Sequence, residues 1–353
     1  MSYTLNQKIR ELVPYEPISG EYEVRLDANE CPDNLPQTIQ NQIAQAMRTI
    51  AFNRYPDPLA TKLVNSFSEY YGINPSLVTA GNGSDELIFL IESAFLEKGD
   101  KMLVVSPDFS MYRFYSSICE VTCDTFYKDD SFAIDIDALL NTINSEQIKL
   151  LLFSNPCNPT GAGITAKQAR QLVSGTDALV ILDEAYMDFW DQSLLGEVEK
   201  YDNLIIFRTA SKAVGGAALR LGFAVANPVI TRAIRAVKSP YNVNSISQAI
   251  GEVLYKNKEY LHKRKIAIVN NRETLYNELS AIAQGQQDFT VYPTVANFVF
   301  IKTGAAQSIW SYLKEKSIVV RLMGGYLRIT AGTAQENARV IDAIKQYFAE
   351  VTV

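Results

Sequence analysis

Four short stretches of this chain carry side chains able to do chemistry: Asn155-Pro-Cys-Asn-Pro-Thr-Gly161, Asp183-Glu-Ala-Tyr186, Thr209-Ala-Ser-Lys-Ala-Val-Gly215 with Arg220 just beyond, and Gly81-Asn-Gly-Ser-Asp85. A lysine amine such as that of Lys212 can be brought toward neutrality by burial or by neighbouring cations, and a neutral amine condenses with carbonyls and shuttles protons. Amides at a helix start, hydroxyls and an arginine fork supply charge-assisted hydrogen bonds to an anion. The one histidine, His262, lies in the basic stretch 256–265 at a position that reads as a solvated helix surface. Multi-histidine metal sites are thereby excluded, and a Ser-His-Asp triad has only that residue to build on. No metal is expected. The reactivity must be borrowed, and an organic cofactor is the expected source.

Each stretch needs an element to hold it. Strands are expected at 102–105, 149–153, 178–182, 204–207 and 223–226, alternating with helical periodicities, the pattern of an open, mostly parallel sheet covered by helices. The chemical stretches lie beside these strands, and open α/β sheets place their ligands at strand carboxyl ends. From Ser84, Leu87, Leu90, Ile91, Ala94 and Phe95 share one face, which predicts an amphipathic helix closing at Gly99. Thr165 with Gln168, and Thr333 with Glu336, have the spacing of capping boxes that open helices. Gly81 and Gly83 lack the third glycine of a dinucleotide loop. The expected architecture is α/β: an extended arm at 1–31 interrupted by Pro14, Pro17 and Gly20, a large cofactor-binding domain at 32–240, and a smaller α+β domain at 241–353 with strands around 289–302 and 326–330.

The 353 residues leave room for two cores, and the net charge of -6 gives no basic stripe for a phosphodiester backbone. Nucleic acid is therefore not the expected partner; a small molecule is. The N-terminus lacks a secretory pattern, apolar runs are too short to span a bilayer, and four cysteines without disulfide or zinc spacing suit a reducing cytosol. A cytoplasmic protein is expected.

Singly, each stretch is weak: Asn-Pro-x-Asn-Pro is commonly a turn, and Ser-Lys occurs by chance. Their joint order resembles the fold-type I aminotransferases, over nearly the whole chain from Tyr15 to Thr333. The resemblance implies the aspartate aminotransferase-like fold and pyridoxal 5'-phosphate as cofactor. It assigns Lys212 as the lysine that forms the Schiff base, Asp183 as the partner of the pyridine nitrogen, Asn158 and Tyr186 as partners of the ring oxygen, and Ser84, Asp85, Thr209, Ser211 and Arg220 as the phosphate clamp. Phe109 stands where the family stacks a ring on the cofactor, commonly a tyrosine. Tyr55 resembles the tyrosine that reaches the neighbouring subunit's phosphate in a homodimer. Physically, a carboxylate about 3 Å from a pyridinium offers on the order of 5 kcal/mol at an effective dielectric near 20, enough to hold the ring proton.

Four further stretches, Leu26-Asp-Ala-Asn-Glu-Cys-Pro32, Arg54-Tyr-Pro56, 239–248 and Leu327-Arg-Ile-Thr-Ala-Gly-Thr333, resemble the branch that exchanges amino groups between histidinol phosphate and 2-oxoglutarate in histidine biosynthesis. By that resemblance Arg321 and Arg328 grip the anionic end of the substrate, and Tyr15, Asn29 and Tyr241 line the pocket. The reaction implied is ping-pong. The small-residue run after Lys212 and the phenylalanine at 109 depart from the common pattern. An aromatic or broad-specificity aminotransferase, a decarboxylase of a phosphorylated amino acid and a non-enzymatic regulator are the alternatives; the short arm leaves little room for a regulator's DNA-binding domain.

Overall fold

The computed structural model describes residues 3–14 and 16–351. Its first strand, β1 (Val24–Leu26), is followed by β2 (Val78–Asn82), β3 (Lys101–Ser106), β4 (Thr122–Tyr127), β5 (Leu150–Ser154), β6 (Leu179–Asp183), β7 (Leu204–Thr209) and β8 (Leu221–Ala226). Strands β2 to β8 form one sheet in the order β2-β8-β7-β6-β5-β3-β4. Pairing is parallel from β7 through β4, while β8 runs antiparallel to both β7 and β2. Every residue of β5, β7 and β8 is buried, as expected where helices cover both faces and apolar runs need not alternate. The sheet is mixed but mostly parallel, as the alternating pattern predicts.

A second sheet is built from β9 (Thr290–Tyr292), β10 (Phe298–Lys302), β11 (Ile318–Met323) and β12 (Tyr326–Thr330), ordered β1-β11-β12-β10-β9. It has its own apolar core, in which Val299, Ile301, Val320 and Leu327 pack against Leu275 and Leu279 of the Lys258–Ala283 helix and Val340 and Ile344 of the last helix, Ala334–Val351. Val24 and Leu26 of β1 belong to the same core.

Two sequence expectations need correction. The arm is not free of regular structure: residues Gln7–Arg10 form a helical turn, and β1 pairs in parallel with β11, Val24 facing Ile318. A three-residue strand is too short for a periodic signal, and its partner lies near the other end of the chain. The helix that opens near Ser84 spans Gly83–Phe95 and stops short of Gly99, because Leu96 turns to an extended conformation. Both capping boxes form: Gln168 and Thr165 exchange bonds, and Glu336 and Thr333 do the same.

Candidate active site

The carboxyl ends of β5, β6 and β7 lie side by side, Ser154 opposite Asp183 and Asp183 opposite Phe207. The chain leaves each strand here, so the residues that follow gather at one end of the sheet. Asp183 closes β6 and is 4% exposed. Its Oδ2 accepts from the Tyr112 hydroxyl at 2.8 Å and its Oδ1 from the Ala185 amide at 3.1 Å. Burial pushes its pKa up to about 7, against these two donors and with help from the charges of Asp108 and Asp85.

Lys212 leaves the turn after β7, and its Nζ donates to the Ala28 carbonyl at 3.0 Å while lying 5.7 Å over the Tyr186 ring. Burial, with the nearby guanidinium groups of Arg328 and Arg220, lowers its pKa to about 8, although Glu30 and Asp85 oppose them. This is the shift a nucleophilic amine needs. Tyr186, three residues beyond Asp183, lies beneath Lys212 Nζ and within the field of Asp183, and its buried hydroxyl accepts from Asn29 Nδ2 at 2.9 Å. Burial raises the Tyr186 pKa, while Arg328 and the Asn29 bond pull it back.

Asn29 is 1% exposed and held at φ 54. Its amide donates to Thr330 Oγ1, its side-chain oxygen accepts from the same hydroxyl, and its carbonyl accepts from Asn297. The N-terminal segment is thereby sewn into the second sheet where it crosses the site. Arg328 donates to Asn158 Oδ1 and to the Asp27 carbonyl. Arg321 stands directly opposite Arg328 across β11 and β12, and directly paired antiparallel residues project to one face, so the two guanidinium groups serve the same side.

The anion-binding corner is formed by close backbone approach. Gly222 of β8 faces the helix start so tightly that a Cβ there would sit 2.3 Å from the Gly83 carbonyl carbon and 2.5 Å from the Ser84 nitrogen. No side chain of Asn82 caps the Gly83–Phe95 helix, which leaves first-turn amides open at its positive end. Arg220, at φ 49, meets Asp85 at 3.0 Å. Thr209 Oγ1 and Ser211 Oγ lie 3.0 Å apart in the turn between the helix start and Lys212. A free phosphate-bearing group with an aromatic ring nitrogen fits this donor set: open amides and hydroxyls at one end, a doubly held carboxylate at the other.

Phe109 sits partly buried beside Tyr112, the rings edge to face at 5.5 Å. Tyr55 and Tyr241 form a separate pair on the surface, stacked at 4.7 Å, with Tyr55 81% exposed. Tyr15 lies outside the described residues. Sequence reading missed Tyr112, although its spacing of three from Phe109 places both on one side of a helical turn. It also missed the Ala28 and Asp27 carbonyls, and no signal existed for these, since any residue offers a carbonyl. Among the described residues no cluster of three or more His, Cys, Asp or Glu is arranged to hold a metal ion, and no helix is long and apolar enough to cross a membrane.

The chain belongs to the aminotransferase class I and II family, whose profile matches residues 22–344. A histidinol-phosphate aminotransferase of Clostridium kluyveri is 40% identical over 345 residues, covering 96% of this chain and 97% of its own. Among solved structures, histidinol-phosphate aminotransferase from Sinorhizobium meliloti in complex with pyridoxal-5'-phosphate superposes with a TM-score of 0.87 at 21% identity over 98% of both chains. L-Threonine-O-3-phosphate decarboxylase from Porphyromonas gingivalis does so with 0.78 at 19% identity, over 92% of this chain and 99% of that one. At such identities the structures speak for the fold alone, and the fold is shared by transfer and decarboxylation.

Proposed function

We propose that this chain uses pyridoxal 5'-phosphate to exchange amino groups between L-histidinol phosphate and 2-oxoglutarate; its relatives are named as histidinol-phosphate aminotransferases. The observation that carries the reading is the convergence at one sheet end of a buried lysine whose pKa is lowered to about 8 and a buried, doubly hydrogen-bonded aspartate, with Tyr186 close to both. Identity of 40% over 96% of the chain to a histidinol-phosphate aminotransferase supports the substrate choice.

The cofactor, when bound, supplies an electron sink for the charge left on the substrate carbon once its proton departs. Asp183 holds the ring nitrogen protonated. Lys212 Nζ would hold the cofactor through its aldehyde and, as a free amine of lowered pKa, would take the proton from the amine-bearing carbon of the substrate. Asn158 and Tyr186 hold the ring oxygen, and Phe109 covers the ring face. Ser84, Thr209, Ser211 and Arg220 hold the phosphate; Asp85 orients Arg220. Arg328 and Arg321 grip the carboxylate of 2-oxoglutarate in one half-reaction and the substrate phosphate in the other, a planar fork matching both. Asn29 and Tyr241 border the substrate.

The active unit in this reading is a cytoplasmic homodimer in which Tyr55 reaches the partner's phosphate site; its 81% exposure supports this. The arm, large and small domains are taken as 1–31, 32–240 and 241–353. The test is a spectral titration of the cofactor-loaded protein with histidinol phosphate, with phenylalanine in parallel. Conversion by histidinol phosphate at much lower concentration supports the reading. Preference for phenylalanine, or release of carbon dioxide from a phosphorylated amino acid, refutes it.

A further inference from the structure

One turn beyond Phe109, the Met111–Cys119 helix carries Tyr112, a 1% exposed side chain whose hydroxyl points at the acid closing β6. The groups acting most strongly on Asp183 are the Tyr112 hydroxyl, the Ala185 amide of its own turn, and the carboxylates of Asp108 before that helix and Asp85 at the start of the Gly83–Phe95 helix; no cation is among them. Tyr186 faces Asp183 too, and Asp108 is itself countered by Lys128. A carboxylate enclosed with two others nearby tends to take up a proton and become useless as a counter-ion. The Ala185 amide occupies one oxygen, and the phenol is the side-chain donor on the other.

We propose that Tyr112 is a positioning residue for amino transfer: its hydroxyl keeps Asp183 anionic and aims the carboxylate at the protonated ring nitrogen of the bound cofactor. The inference rests on the reading that Asp183 holds that nitrogen. A phenol suits the task because its proton does not leave. Burial and the charges of Asp183 and Asp108 push the Tyr112 pKa well above its usual value, so it stays a donor across the working range, where an imidazole would switch. The same helical turn then serves twice, Phe109 against the ring face and Tyr112 behind the acid, and their edge-to-face contact locks one to the other.

The test is Tyr112→Phe, which keeps the ring in its packing and removes the hydroxyl. A hydrogen bond to a charged group is lost, so the acid limb of the kcat profile is expected to move upward by about one to two pH units. The spectral titration of the bound cofactor should move with it, while KM for the amino donor stays near wild type. In an Asp183→Asn background the same substitution should do nothing further. Acid limbs that coincide, or an equal loss of kcat in the Asp183→Asn background, overturn the proposal. The apoprotein gives a readout that needs no cofactor: the pH dependence of the unfolding midpoint should show the Asp183 titration displaced upward in Tyr112→Phe. Failure of the wild-type protein to bind pyridoxal phosphate would sink the proposed function; an apoprotein titration unmoved by the substitution would sink the role of Tyr112.

Discussion

Glu92 offers a test of the energetics of this fold that is independent of its chemistry. It lies on the Gly83–Phe95 helix at 0% exposure, in the layer formed by Leu87, Ile88, Ile91 and Met102, and both its carboxyl oxygens are buried without a hydrogen-bond partner. Burial raises its pKa from 4.5 to about 8. The native state therefore binds the proton more tightly than the unfolded chain, and between these values stability must fall as pH rises. Each pH unit costs about 1.4 kcal/mol, so the interval from 4.5 to about 8 integrates to roughly 5 kcal/mol. The substitution is Glu92→Gln, nearly the same shape with no proton to lose. Urea unfolding of apoprotein across that interval should show wild type losing stability with pH relative to Glu92→Gln, the two curves converging below the lower value and running parallel above the upper one. Glu92→Leu, which also removes the unpartnered polar atoms, should be more stable than either near neutrality. Wild-type and Glu92→Gln curves separated by a constant amount would show that this carboxyl is not held neutral by burial.

Lys212 attacks as the neutral amine, so the rate at which apoprotein captures pyridoxal phosphate should rise with pH and level off near 8; a rate still climbing toward the ordinary lysine value would contradict the lowered pKa. Lys212→Ala should abolish both covalent attachment and turnover, and persistence of the wild-type absorbance would refute its role. Arg208 is 4% exposed and bridges Glu184 at 2.8 Å and Asp188 at 3.1 Å, so Arg208→Met should leave the buried Glu184 and the partly buried Asp188 without their cation and lower stability by about 3–5 kcal/mol, measured by denaturant unfolding. Gly222→Ala should weaken cofactor binding in equilibrium titration, because its methyl group collides with the Gly83 and Ser84 backbone.

The sequence made the central sheet legible because β5, β6, β7 and β8 are apolar runs with turn residues after them, and burial on both faces demands that composition. It hid β2, which reads VTAGN, and β4, whose six residues include three polar ones, since a glycine-bearing or edge strand has neither a continuous nor an alternating signal. The four chemical stretches were readable because each couples a strand end to side chains of unusual type. Tyr112 was not, since an aromatic inside an amphipathic helix looks like packing until its hydroxyl is seen on Asp183. Nor could spacing reveal that Arg328 meets Asn158, 170 positions away, or that Asn29 reaches Tyr186, because such pairs exist only once the two sheets have come together.

The parallel pairing of β1 with β11 ties the beginning of the chain to its end, and the carbonyl that receives Lys212 lies only two residues past β1. During synthesis the central sheet can assemble as its strands emerge, but Leu26 has no strand partner until Val320 has been made. The lysine therefore stays uncovered from its own synthesis until Ile318–Met323 has emerged, and closure of the pocket is a late event governed by contact between distant parts of the polypeptide. A ribosome-bound chain lacking its final forty residues would carry every group assigned to the cofactor's phosphate and ring yet have no finished roof above them.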